Sequence, residues 1–315
     1  MDSRFVSWPI VAGVVFLGIG LFVVRRDLFL ARGWDKLLAS GYVFVAAPLA
    51  VFGAEHLTAA QALMQIVPSW IPERLFWAYF VGVALLAAAV SLTLRKQLRL
   101  SATLLAIMFF LFVVLIHVPN LAQHLRDRIL WSVALRDLAF AGGALALAGT
   151  QKQDWLVHRP ERLITIGRVC IGLPLIFFAI EHFLHPEFAP GVPLEKLTPV
   201  WVPFPLVWAY LSGAILFASG VGIVLNKYSR NAATSVGMLM TLLTLFLYLP
   251  ILVMTTDASQ IMVGVNYVAD TLLFGGAVLL LAEALPRELP AKPEPVASLR
   301  ASASVVAESN HWVDS

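Results

Sequence analysis

Hydrophobic residues fall along this chain in long blocks, not in alternation. Nine blocks stand out, at 6–24, 38–57, 76–94, 101–119, 131–149, 163–184, 206–225, 233–253 and 267–285. Each is close to the roughly 20 apolar residues that an α-helix needs to cross the hydrocarbon core of a bilayer. None carries an interior run of charges. Blocks of this length do not fit the alternating strands of a membrane barrel, and a helix satisfies its own backbone hydrogen bonds in lipid. The pattern predicts an all-α, polytopic membrane protein of about nine transmembrane helices.

Polar residues between the blocks set a direction. Basic residues follow the first, third, fifth, seventh and ninth spans, as in Arg25-Arg26, Arg95-Lys96 and Lys227 with Arg230. These alternate segments hold fifteen of the 22 Lys and Arg residues. Basic excess marks the cytoplasmic side, so the N-terminus is expected outside and the C-terminus in the cytoplasm of a plasma (inner) membrane. The first span has only Arg4 before it and Arg25-Arg26 directly after it, with no small-residue cleavage pattern. It reads as an uncleaved anchor.

Composition agrees with this reading. The chain has 315 residues, 60% hydrophobic and 13% charged, with mean hydropathy +0.84. Soluble domains carry about 25% charged residues. The net charge of +3 is too small to imply a nucleic-acid partner. One cysteine, Cys170, excludes an intrachain disulfide and a multi-cysteine metal site. After Glu283 the chain is rich in Pro, Ala and Ser and has no apolar face. It is expected to be a disordered tail.

The blocks also resemble one another. At an offset of 126, Gly41, Pro48 and Glu55-His56 meet Gly167, Pro174 and Glu181-His182. At an offset of 131, VPSWIP (67–72) meets TPVWVP (198–203), and the gapless stretch 67–119 shares 18 identities with 198–250. At 133, RDLAFAGGA meets ADTLLFGGA. The expected organisation is an anchor and linker (1–37), two four-helix units (38–150 and 151–285) and the tail (286–315). Each unit starts and ends on the same side, so the repeats are parallel. Pro48 and Pro174 should kink their helices, and Gly142-Gly143 and Gly275-Gly276 should allow close helix contact.

A helix ending in Glu-His, a Pro-Trp-Pro loop, W-A-Y-x-x-G, a basic turn and a last helix with Asp and Gly-Gly together resemble the DoxX / DoxX-like membrane family. The resemblance covers roughly 38–149 and 163–283. It implies a small four-helix membrane unit, associated by its name with quinone-dependent thiosulfate oxidation. A quinone as cofactor and a redox or assembly partner subunit are expectations from that resemblance. The doubled unit and the anchor depart from the single-unit form.

Polar residues inside spans are costly and point to sites. They gather at the expected outer ends: Glu55, His56, His117 and Asp137 in the first unit, with Glu181, His182, Tyr248 and Asp270 in the second. Within each unit a carboxylate near the end of the first helix and another near the start of the fourth could share a pocket, with an imidazole to exchange protons. Structural interhelical hydrogen bonding is the competing explanation. Adjacent helical residues point about 100° apart, so Glu55 and His56 should face different partners. Arg136-Asp137 reads as a local charge pair, and Arg168 as a side chain snorkelling to cytoplasmic headgroups. Trp70, Trp77 and Tyr79, with Trp201, Trp208 and Tyr210, form either an interfacial belt or an aromatic wall for a flat ring. The Pro-rich stretch 185–205 would then be a lid or an interface-lying loop. His182, His185 and Glu187 lack the three or four well-placed ligands that zinc requires, so no metal is expected. No phosphate loop, nucleophile elbow or H-E-x-x-H motif is present, which leaves catalysis unassigned. Three functions fit: a quinone-associated redox module, a non-catalytic membrane scaffold or a small-solute transporter.

Overall fold

The computed structural model describes residues 4–151, 160–192 and 194–287. Among these residues, nine helices are long and apolar enough to cross a membrane: α1 (Ser7–Leu30), α2 (Asp35–Thr58), α3 (Arg74–Leu94), α4 (Leu98–Gln123), α5 (Arg128–Thr150), α6 (Glu161–Leu184), α7 (Pro205–Val224), α8 (Ser229–Met254) and α9 (Gln260–Ala284). The protein is an all-α polytopic membrane protein. Most of the expected tail, from 288 onward, lies outside the described residues. The ends of the helices that carry 59–73 and 185–204 are here called the loop end, and the opposite ends the basic end.

Several helices outrun the hydrophobic pattern. α1 continues through Arg25, Arg26 and Asp27, because charges at a helix end reach the interface and find partners. Arg95 donates to Asp27 at 2.6 Å, and the Arg25 guanidinium lies over the Phe22 ring. α2 and α6 stay helical through Pro48 and Pro174. The distinct irregularity lies in α4 and α8, where Val113–His117 and Thr244–Tyr248 form π-helical turns just before Pro119 and Pro250. A proline has no N–H to donate four residues back, and widening to an i→i+5 bond restores the ladder.

These turns are 131 residues apart, and so are other backbone features. Left-handed residues at Glu73, Arg95 and Gln97 recur at Phe204, Asn226 and Tyr228. The short helical segments Val118–Gln123 and Leu249–Met254 recur likewise.

The packing is not that of two self-contained bundles. α2 packs on α3, α3 meets α4 and α4 packs on α5, but α2 does not close the ring by touching α5. It packs instead on α9, while α5 packs on α6. α5 and α9 meet at the centre. Small residues make these joints tight. The Gly142 backbone sits against the Gly167 carbonyl, Gly143 against Ala277 and Gly276 against Phe44 and Val45. A ladder of edge-to-face rings crosses the centre, from Phe109 through Phe140 and Phe274 to Phe178, with centroids 5.3, 6.4 and 5.8 Å apart. α1 lies on the outside against α2 and leaves Val14 and Phe22 exposed for lipid.

Arg168 reaches toward the basic end and finds protein carbonyls there. Its Nη1 donates to the carbonyls of Ile223 and Val224, at 2.8 and 3.2 Å. It adds a donor to carbonyls at the end of α7 and complements that helix's negative pole. Arg168→Met is expected to cost about 1 kcal/mol, seen as a lower thermal unfolding temperature in detergent. Unchanged stability would return Arg168 to a headgroup role.

Candidate functional site

A cavity of about 650 Å³ lies in the loop-end half of the first four-helix set, α2–α5, and α9 supplies part of its wall. Its sides are apolar, drawn from α2, α3 and α4 and from the segment 63–71 that roofs it. Phe109, Phe140, Leu85 and Leu273 close it toward the basic end. Phe80 on α3 and Leu111 on α4 line the cavity and are half exposed. The cavity therefore opens sideways between α3 and α4, where lipid chains would lie. Its polar lining is His56, His117, Arg136, Asp137, Asn266 and Asp270.

Four residues of the polar wall, Arg136, Asp270, Asp137 and His117, form a connected network. Asp127 caps the start of α5 by accepting from the Ile129 and Leu130 N–H groups, at 2.9 and 3.3 Å. Two turns on, Arg136 Nη1 donates to Asp270 Oδ2 at 2.7 Å. Its Nε and Nη2 donate to Asp137 Oδ1, each at 3.3 Å. Asp137 Oδ2 in turn lies 2.9 Å from His117 Nε2. Both aspartates are buried, each 6% exposed. Buried charges persist only when paired and hydrogen-bonded, and one guanidinium here serves two carboxylates.

The carboxylates that meet are thus Asp137 and Asp270, one from each four-helix set. The sequence-based pairing of Glu55 with Asp137 and of Glu181 with Asp270 does not form. For Glu55 the reason is the packing, since α2 lies against α9, not α5. Glu55 Oε1 instead accepts from Asn266 Nδ2 at 3.3 Å, and Glu181 lies 3.5 Å from Arg128. Nor is Arg136-Asp137 purely local, since the strongest contact of Arg136 reaches across to α9.

Glu55 and His56 do point to different partners. His56 Nδ1 lies 2.8 Å from the Phe52 carbonyl, so this nitrogen carries the proton. Nε2, the acceptor of the neutral ring, is left to the cavity. Gly82 allows the ring to sit close, as a Cβ there would stand 2.9 Å from His56 Cβ.

The second set, α6–α9, treats the equivalent positions differently. His182 Nδ1 repeats the bond, to the Phe178 carbonyl at 2.6 Å. Its Nε2 accepts the Gly191 N–H at 3.1 Å. Tyr248, at the position of His117, donates to the Ala189 carbonyl at 3.3 Å. Thr271 donates to Val192 and Arg128 to Leu194, at 3.3 and 2.9 Å. Ala189, Val192 and Leu194 are fully buried. The stretch 185–205 is therefore neither a lid nor a surface loop in this part: its backbone enters the bundle. Gly191, with φ +143°, is needed there, since a Cβ would stand 2.6 Å from the Tyr248 hydroxyl.

The aromatic candidates divide in the same way. Trp70 and Trp77 line the cavity, and Trp77 Nε1 donates to the Pro72 carbonyl at 3.1 Å. Tyr79, Trp201, Trp208 and Tyr210 are exposed and do not line it, and Tyr210 stacks on Phe183. They fit an interfacial belt. His185 pairs with Glu187 at 3.3 Å near the surface. The backbone N–H of Glu187 itself, and then His185, hold that carboxyl below its ordinary value. Among the described residues, no three His, Cys, Asp or Glu gather as a metal site. Asn266, the residue between Glu55 and the cavity, carried no pairing expectation, because nothing in the sequence pattern predicts that α9 faces α2.

A family described only as a domain of unknown function (DUF8561) matches residues 45–139. The match runs from mid-α2 to Asp137 and beyond, and so contains most of the cavity wall. No curated protein and no solved structure matches the chain.

Proposed function

We propose that the chain consists of two copies of one four-helix unit behind an N-terminal anchor, lies in the plasma membrane with its loop end outside, and binds a quinone-like amphiphile in the first unit. The observation that carries this reading is the cavity itself. It has a size suited to a small ligand, opens toward lipid, and confines its polar groups to one wall. An aromatic head with an apolar chain fits such a space, with the head at the polar wall and the chain leaving between α3 and α4. The His117–Asp137 pair is built to exchange a proton with a ring oxygen. Electrons would come from or go to a partner subunit, in line with the DoxX-like resemblance. A scaffold needs no enclosed cavity, and the phenylalanine floor speaks against passage of a solute to the other side.

The test is ligand content. Protein purified in mild detergent is extracted, and quinone is quantified by mass spectrometry against bulk membrane lipid. Enrichment over bulk lipid is expected. Val81→Trp, which fills the cavity from α3, should reduce the bound quinone by about tenfold, the loss expected when a well-packed contact worth ~1.4 kcal/mol is removed. Quinone at the bulk-lipid level in the unmodified protein, or content unchanged by Val81→Trp, would overturn the reading.

A further inference from the structure

The first and second four-helix sets place the same imidazole in the same setting and give it different company. His56 and His182 each bind a carbonyl four residues back through Nδ1. Each also sits over a glycine, Gly82 or Gly213, on the next helix. His182 Nε2 then accepts a backbone N–H, and the chain supplying it fills the space between His182 and Tyr248. His56 Nε2 faces the cavity.

The cause is visible in the alignment. The offset between the halves rises from 126 at the Glu-His pair to 131 at the Pro-Trp-Pro segment. Ten residues (57–66) link His56 to Val67, while fifteen (183–197) link His182 to Thr198. The longer segment reaches inward and fills its own bundle. The shorter one stays above as a roof, with Leu63 and Ile66 over the cavity.

The inserted backbone therefore shows what an occupant of this site must offer. It presents a hydrogen-bond donor to the imidazole Nε2. The remaining chemistry of the first cavity asks for the same thing. Asp270 spends Oδ2 on Arg136, and its Oδ1 has no hydrogen-bond partner among the described residues, although it lines the cavity wall. Arg136 directs all three of its nitrogens at carboxylates. Two of the groups left over at the polar wall, His56 Nε2 and Asp270 Oδ1, are acceptors. An acceptor group on the ligand, such as a carbonyl, would leave both unpaired, and unpaired buried polar groups are costly.

We propose that the cavity takes one hydroxyl-bearing amphiphile per chain, a hydroquinone or phenol, whose O–H donates to His56 Nε2 as the Gly191 N–H donates to His182 Nε2. This rests on the reading above that the cavity binds an amphiphile, and names the form that it binds. The second set holds no such ligand, because Ala189, Gly191, Val192 and Leu194 already fill its space.

The experiment compares decylhydroquinone, kept reduced under anaerobic conditions, with decylbenzoquinone. Binding of each to the delipidated full chain in detergent is followed by calorimetry. The hydroquinone is expected to bind about tenfold more tightly or better, the discrimination typical of a site whose polar groups would otherwise stay unpaired, with one molecule bound per chain. His56→Phe should bring the two affinities close together by lowering that of the hydroquinone. Equal affinities, or tighter binding of the quinone, would overturn the donor assignment and leave the amphiphile cavity standing. Binding of neither form would remove both. Two sites per chain would show that Ala189, Val192 and Leu194 do not occupy the second space. The ratio measured on the unmodified protein decides by itself, so the outcome does not depend on the folding of the variant.

Discussion

Arg136→Met is expected to destabilise the protein by roughly 3–5 kcal/mol, because it leaves buried carboxylates without their cation. Arg136 Nη1 lies 2.7 Å from Asp270, and its other nitrogens contact Asp137. Both aspartates are almost wholly enclosed. The loss belongs to the stranded charges and not to the missing guanidinium, and this is what a second variant separates. Arg136→Met combined with Asp137→Asn and Asp270→Asn should recover most of the stability, since no buried charge then lacks a partner. Thermal and urea unfolding in a single detergent measure both. A single variant as stable as the unmodified protein would mean that water or lipid headgroups reach the cluster.

Gly143→Leu should be nearly as damaging, through packing alone. A Cβ at Gly143 would stand 2.6 Å from Ala277 Cβ and 2.7 Å from its Cα. The obstacle is backbone, so no rotamer change on the other side can make room. Overpacking of this kind costs about 1–3 kcal/mol and occasionally more, and here it would separate α5 from α9. Gly143→Ala should cost less, and Ala277→Gly should recover part of that loss by removing one of the colliding atoms. Monodispersity on size exclusion and unfolding temperature report the result. A well-folded Gly143→Leu protein would show that the α5–α9 crossing is not a fixed joint.

Much of the fold was legible in the sequence because the bilayer imposes a length. Each span needs an apolar block of known size, and the blocks from 6–24 to 267–285 correspond to helices in the same order. Helix ends ran past the blocks where charges find partners, as Asp27 does with Arg95 and Arg25 with the Phe22 ring. The π-helical turns before Pro119 and Pro250 were not legible, because hydropathy does not report hydrogen-bond register. The residues of the candidate site were mostly legible one at a time: His56, His117, Asp137 and Asp270 all line the cavity. Their partners were not. Similarity between two stretches of sequence says that they adopt the same conformation, not which copy each helix packs against. Gly142-Gly143 and Gly275-Gly276 did signal close contacts, but not that those contacts join the two sets. The five extra residues before Thr198 were countable from the start. Only the inward contacts of Ala189, Gly191, Val192 and Leu194 show that they turn one of two similar sites inward on itself.

The pairing of α2 with α9 has a consequence for biosynthesis. Asn266, Asp270 and Leu273 complete the wall of a cavity whose other residues are made more than a hundred positions earlier. Until the final helix leaves the ribosome and inserts, α2 has no permanent neighbour on that side and Arg136 lacks its closest carboxylate. A chain stopped after α8 would carry every residue from α2 to α5 and still have an open, incompletely neutralised site. α9 thus finishes a cavity whose other walls are inserted before it. Membrane quality control could distinguish finished chains from truncated ones by that unfinished wall alone.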